Sequence, residues 1–146
     1  MKIRTLILIL FSFILFSCNQ EKTVSTDQLQ MRKGVLYLIN EKDPFTGKAI
    51  RKNTYGQIVF EGNYEDGKQE GIQKAYYDDG SIKLLQYYEN GKKEGEQTAY
   101  GFNGRTEYNY KNGRLDGVQK TYDHDGNLVL EENYKNGQLN GKNYYR

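Results

Sequence analysis

From about residue 34 onward, hydrophobic and polar positions alternate in short segments that are separated by glycine-containing turns. The segments between turns suit strands and leave no room for helices. In the longer segment of each repeat the large residues share one parity, so they face one side of a strand. These residues are Ile58, Phe60 and Tyr64; Ile82, Leu84 and Tyr88; Thr106, Tyr108 and Tyr110; and Leu128, Leu130 and Tyr134.

The shorter segment of each repeat carries a tyrosine five residues after a glycine and a glutamine two residues after the same glycine. The tyrosines are Tyr76, Tyr100 and Tyr122, and the glutamines are Gln73, Gln97 and Gln119. Their opposite parity places the two sets on opposite faces of a sheet. We therefore expect a ladder of tyrosines along one side and a surface of glutamine and lysine along the other.

The chain repeats with a nearly constant period. Glycines at positions 47, 71, 95, 117 and 141 are spaced by 24, 24, 22 and 24 residues. The two-residue deletion in the third repeat keeps every side chain on its own face, whereas a one-residue deletion would invert the strand. Such a period indicates hairpins that stack mainly on their sequence neighbours.

Two kinds of turn alternate along the repeats. The strings "YDDGS", "FNGR" and "DHDGN" predict tight turns within a repeat. Strings such as "YENGKKEG", residues 88–95, predict longer turns that join one repeat to the next. The sequence thus predicts an all-β fold, an elongated single antiparallel meander of about ten strands between Val35 and Tyr145.

The first 17 residues are typical of a secretory signal peptide, because Lys2 and Arg4 precede an apolar run that is too short to span a bilayer. A small residue stands directly before Cys18, the single cysteine, and this resembles the lipobox of bacterial lipoproteins. The resemblance implies cleavage before Cys18 and its lipidation, which would anchor the chain to a membrane. Asn19 is not the Asp that retains many such proteins at the inner membrane, so the outer membrane is favoured in a cell with two. Alternatively, Cys18 is a bystander near an ordinary cleavage site.

The segment 18–33 is polar and lacks aromatic residues and a sustained period, so we interpret it as the lipidated cysteine and a flexible tether. A short helix over "STDQLQMRK" is the alternative. The repeat domain is then expected to occupy residues 34–146.

Charge excludes one large class of partner. The whole chain has 21 Lys plus Arg and 19 Asp plus Glu, and removal of residues 1–17 leaves 19 of each. A neutral mature chain with interspersed charges lacks the field on which nucleic-acid binding relies. The repeat domain also has no cysteine for a disulfide framework or a cysteine-based metal site.

The residue types of common catalytic and metal sites are not assembled in the sequence. His124, the single histidine, lies between Asp123 and Asp125 in a turn, where a solvated imidazole is the simpler interpretation. The serines Ser25 and Ser81 are not in a nucleophile-elbow setting. We expect no enzymatic activity, no metal and no cofactor.

The repeats resemble the bacterial variant of the MORN repeat, whose members are often named as YwqK-type antitoxin components. The resemblance rests on "YENGKKEGEQTAY" and its sister strings, on "PFTGKAI" at 44–50 and on "NGKNYY" near the end. It implies a curved sheet of hairpins that serves as an interaction scaffold without established enzymatic activity. A lipidated envelope protein would fit an immunity partner of an envelope-acting toxin better than a cytoplasmic antitoxin.

The first hypothesis is a protein-interaction platform of the cell envelope that binds an unknown envelope protein. Tyrosine is enriched at interfaces because it is both stiff and amphipathic. A glycan-binding module, including one for peptidoglycan, and a passive spacer are the alternatives; a choline-binding module is disfavoured because the chain has no Trp. The candidate binding residues are Tyr64, Tyr76, Tyr88, Tyr100, Tyr110, Tyr122 and Tyr134.

Overall fold

The computed structural model describes residues 22–145. The signal peptide predicted over residues 1–17 and the lipidation predicted at Cys18 lie outside these residues. The strands are β1 Thr23–Ser25, β2 Leu29–Arg32, β3 Val35–Leu38, β4 Gly47–Lys52, β5 Ile58–Glu65, β6 Lys68–Tyr76, β7 Ile82–Glu89, β8 Lys92–Lys93, β9 Gly95–Gly101, β10 Gly104–Lys111, β11 Arg114–Leu115, β12 Gly117–Tyr122, β13 Leu128–Lys135 and β14 Gln138–Tyr144. A 3-10 turn, Thr26–Gln28, separates β1 from β2.

The predicted all-β fold is confirmed, and the number of strands exceeds ten. Twelve strands form one sheet, whose main path runs in the order β1-β4-β5-β6-β7-β9-β10-β12-β13-β14, with β8 paired to β7 and β11 to β10. The short strands β8 and β11 are separated from β9 and β12 by a break at the single residue before a repeat glycine, whereas β6 and β14 continue across Gly71 and Gly141. Gly95, which follows the first of these breaks, has a φ of +68°, a conformation typical of a bulge residue.

The interpretation of residues 18–33 as a flexible tether is wrong for residues 22–33. Strand β1 pairs in parallel with β4, so the sheet is not a pure antiparallel meander, and β2 and β3 form a separate hairpin. Val24 and Leu29 pack against a small core of Leu36, Phe45 and Ala49, and this apolar burial explains why the segment is ordered. The folded region therefore begins before residue 34.

The assignment of tight and longer turns is also corrected. The two-residue turns are those between repeats: Asn90 and Gly91 have φ values of +50° and +79°, which are typical of a type I′ turn. Two turns within repeats, at 77–81 and 123–127, are instead five-residue loops in which the first amide donates to the last carbonyl, at 2.9 Å in both. Only the shortened third repeat has a two-residue turn within it, Phe102–Asn103 between the paired glycines 101 and 104.

Each turn between repeats is bonded to the repeat before it. The backbone amides of Gly67, Gly91, Gly113 and Gly137 donate to the carbonyls of Phe45, Gln69, Lys93 and Leu115 at 2.7–2.8 Å. The residue before each of these glycines donates its amide to a side-chain oxygen of the preceding repeat: Asp66 to Thr46, Asn90 to Glu70, Asn112 to Glu94 and Asn136 to Asp116. The turns thus form a continuous stack along one edge of the hairpins.

The carboxylates of this stack lie directly before a repeat glycine, as Glu94 does before Gly95. Glu94 Oε2 accepts from the Asn112 amide at 2.7 Å. The last residues of "YENGKKEG" therefore have a second role, because they bind the turn of the next repeat. The same bond, from the Asn136 amide, is the main reason that the pKa of Asp116 is lowered.

We predict that Glu94→Ala lowers the free energy of unfolding by about 1–2 kcal/mol, because it removes a charge-assisted hydrogen bond to a turn amide. Glu96→Ala, an exposed neighbour that makes no such bond within residues 22–145, is the matched control and should change stability by less than about 0.5 kcal/mol. Urea denaturation of both variants measures the difference. Equal effects of the two substitutions would contradict a role for the carboxylate in the stack.

Candidate functional site

The sheet has two chemically different faces, which follow from the strand register. Paired residues in neighbouring strands share a face, so Gln73 lies with Gln86, and Gly71 with Tyr88. We call this side the tyrosine-glutamine face; it carries Tyr64, Tyr88, Tyr110, Tyr134, Gln73, Gln97 and Gln119. We call the other side the carboxylate face; it carries Glu61, Glu107, Glu131, Tyr76, Tyr100 and Tyr122.

The seven tyrosines predicted as one binding face are divided between the two sides. Tyr76, Tyr100 and Tyr122 do lie opposite the glutamines, as their parity predicts. Tyr64, Tyr88, Tyr110 and Tyr134, however, share the face of those glutamines. The predicted separation into a tyrosine side and a glutamine-lysine side is wrong, because the two strands of a repeat place their tyrosines on opposite faces.

The tyrosine-glutamine face is the more covered side of the sheet. Tyr88 is 8% exposed and Gln97 1% exposed. Gln97 Nε2 donates to the backbone carbonyls of Tyr87 and Glu94 at 2.9 and 3.1 Å, and the Tyr88 hydroxyl donates to Gln86 Oε1 at 3.1 Å. Burial raises the pKa of Tyr64, Tyr88 and Tyr110. These side chains therefore serve as the interior of a one-layer fold.

Tyrosine and glutamate side chains form repeated contacts on the carboxylate face. The Tyr76 hydroxyl donates to Glu61, which also contacts Lys48 at 3.4 Å and Lys74 at 3.7 Å. Burial together with the Glu61 carboxylate raises the pKa of Tyr76 to about 12, and the Tyr76 hydroxyl is the main reason that the pKa of Glu61 is lowered.

The same arrangement recurs two repeats later. The Tyr122 hydroxyl donates to Glu107 at 3.2 Å, and Arg105 Nε donates to Glu107 at 3.0 Å. The guanidinium of Arg105 also lies 3.9 Å from the centre of the Tyr122 ring. An open groove of about 350 Å³ adjoins Tyr100, Arg105 and Tyr122.

Between these two arrangements the carboxylate face exposes apolar and aromatic side chains. Ile72 is 49% exposed, Tyr87, its cross-strand partner, 42%, and Tyr100 40%. Phe102, at the tip of the β9–β10 turn, is fully exposed. Sequence reasoning missed Tyr87 because it has the parity opposite to Ile82, Leu84 and Tyr88. Ile72 shares the parity of Tyr76, and only the register shows that Ile72 and Tyr87 are neighbours.

Comparison with known proteins agrees with this architecture. Two segments match the family model of the MORN repeat variant, residues 69–90 and 115–136. No curated protein matches the chain. The two MORN repeat variant segments begin two repeats apart, and each contains one complete five-residue loop within a repeat, 77–81 or 123–127. They support a repeat-based interaction module.

Residues 22–145 contain no group of three or more His, Cys, Asp or Glu side chains that could hold a metal ion. In the same part of the chain, no helix is long and apolar enough to cross a membrane. His124 lies at an exposed turn, with Nε2 3.3 Å from Asp125.

We predict that the free energy of unfolding falls as the pH rises above about 10, the ordinary pKa of tyrosine. The folded protein keeps the Tyr88 proton at pH values where the unfolded chain loses it, so rising pH favours the unfolded chain. Tyr88→Phe should show a weaker loss between pH 9 and 11 in urea denaturation, each variant being referred to its own stability at pH 8. An unchanged pH dependence would show that Tyr88 does not contribute.

Proposed function

We propose that this chain is a lipid-anchored, non-enzymatic protein-interaction scaffold of the cell envelope. The observation that carries the proposal is that Ile72 and its cross-strand partner Tyr87 are exposed on the carboxylate face, as is Tyr100 on the other side of the Leu85–Thr98 pair. A one-layer sheet has no second layer to cover these side chains, and a face that exposes several apolar side chains is typical of interaction sites.

A protein partner fits this surface better than a glycan does. Sugar rings stack on aromatic side chains and need polar groups beside them, whereas Ile72 and the neighbouring Leu85 are aliphatic. Aliphatic side chains suit the apolar side chains of a protein, which bury area against them. Antitoxin-like or immunity-type binding would be one instance of the same platform, with a toxin as the partner.

Crosslinking in intact cells followed by affinity capture tests the platform. We predict that the triple variant Ile72→Ser, Tyr87→Ser, Tyr100→Ser loses the captured partner. The control triple Met31→Ser, Tyr55→Ser, Leu139→Ser removes apolar side chains elsewhere that are more exposed still, and it should retain the partner. Unchanged capture by a folded first variant would refute the proposal, and co-sedimentation of purified chain with cell wall would favour the glycan alternative.

The anchor is tested separately. We expect Cys18→Ala to accumulate as an uncleaved, unacylated precursor, because the thiol that receives the lipid is missing. Metabolic labelling with a fatty-acid analogue and the apparent mass on a gel measure both effects. Normal maturation of the variant would refute lipidation at Cys18.

A further inference from the structure

Successive repeats can be compared at one position of the carboxylate face. In two repeats this position holds a glutamate that accepts a hydrogen bond from the hydroxyl of a tyrosine fifteen residues later. Glu61 accepts from Tyr76, and Glu107 accepts from Tyr122. In the intervening repeat the corresponding pair is Leu85 and Tyr100. The Tyr100 hydroxyl makes no hydrogen bond within residues 22–145, although its backbone carbonyl accepts from Tyr77 at 2.5 Å.

A row of paired side chains crosses the sheet at this level. In strand order it consists of Glu61, Lys74, Leu85, Thr98, Glu107, Lys120 and Glu131. Opposite charges alternate along the row except at its centre, where Leu85 and Thr98 are neutral. A cation and an anion therefore flank a gap of two positions.

The gap itself holds no carboxylate, and the two lysines near it make their contacts elsewhere. Lys74 Nζ lies 3.7 Å from Glu61, on the side away from Leu85. Lys83 precedes Leu85 by two residues, as Arg105 precedes Glu107, and shares its face. Its side chain is exposed, and Nζ lies 5.5 Å from the centre of the Tyr77 ring rather than against a carboxylate.

We propose that the gap receives a carboxylate from a bound partner. The side chain of an Asp or Glu in an extended segment of a partner protein lies over Leu85 and accepts from the Tyr100 hydroxyl and from Lys83 Nζ. The bound carboxylate thereby reproduces, with Tyr100 and Lys83, the contacts that Glu107 makes with Tyr122 and Arg105. This inference rests on the proposed scaffold function and specifies the chemistry of its partner.

The surroundings of the gap define the rest of the partner segment. Tyr87 is two residues from Leu85 on the same strand and face, and Ile72 lies beside it on β6. An apolar side chain two residues from the acidic one points to the same side of an extended segment and would bury area against these two exposed groups. The recognised segment therefore combines one carboxylate with an aliphatic or aromatic residue two positions away.

Leu85→Glu tests the proposal by supplying the carboxylate from the chain itself. The substitution restores the pattern of Glu61 and Glu107, so the variant should fold. It should bind an acidic segment at least about tenfold more weakly than the native protein, because the site is filled and the new charge repels the ligand. Leu139→Glu adds the same charge at an exposed position of β14 and is the matched control.

The probe is an array of twelve-residue peptides in which each member appears with Glu, Gln or Ala at its centre between randomised flanks. Full-length protein in detergent is expected to prefer the Glu members, and Tyr100→Phe to weaken that preference while keeping the ring. Equal binding of Glu and Gln members, an absence of binding, or full binding by Leu85→Glu would overturn the carboxylate proposal.

The envelope capture assay separates this proposal from the broader one. If Leu85→Glu retains the envelope partner while the Ile72, Tyr87 and Tyr100 triple variant loses it, the result supports the scaffold proposal and refutes the carboxylate site. If the triple variant retains the partner, the scaffold proposal itself falls. Loss of the partner in both, with retention in Leu139→Glu, supports both proposals.

Discussion

A backbone amide in each turn between repeats donates to the repeat before it, and the neighbouring amide donates to a side-chain oxygen of that repeat. For example, the Asn112 amide donates to the Glu94 side chain, and the Gly113 amide donates to the Lys93 carbonyl. This pair of hydrogen bonds sets where each hairpin begins relative to the one before it. Because strand side chains alternate with a period of two, a fixed starting point also fixes which side chains share a face. Both faces of the sheet depend on it.

The two faces of the one-layer sheet have different roles. On the tyrosine-glutamine face, side chains such as Tyr88 and Gln97 cover one another and supply the interior that a second layer would supply elsewhere. The carboxylate face is then available for contacts outside the chain. Glu61 and Glu107 each hold a tyrosine side chain by a hydrogen bond, and the apolar side chains between these two sites remain exposed.

The sequence was sufficient to predict the all-β class, the hairpin repeats and the opposition of Tyr76 to Gln73, because all three depend on spacing within the chain. It was not sufficient to place Tyr88 relative to Tyr76, since that relation depends on which residues pair across strands. The ordered segment from residue 22 was missed because its polar composition conceals Val24 and Leu29, which gain burial only against Leu36 and Phe45.

The candidate site shows the same limit. Leu85 looks like an ordinary strand residue in the sequence, and its significance arises from its cross-strand neighbours, Lys74 and Thr98. Likewise, the residue before each repeat glycine looks like a solvated charge, although Glu94 binds a turn amide of the next repeat. Contacts between residues 11 to 18 positions apart decide both roles.

One face of the sheet is the protein's interior, and the other is open to partners. Photochemically induced nuclear polarisation of tyrosine rings measures this directly, because the dye reaches only accessible rings. Tyr87 and Tyr88 are adjacent in sequence but 42% and 8% exposed. We predict a strong signal from Tyr87 and Tyr100 and none from Tyr88; a stronger signal from Tyr88 than from Tyr87 would contradict the assignment of the faces.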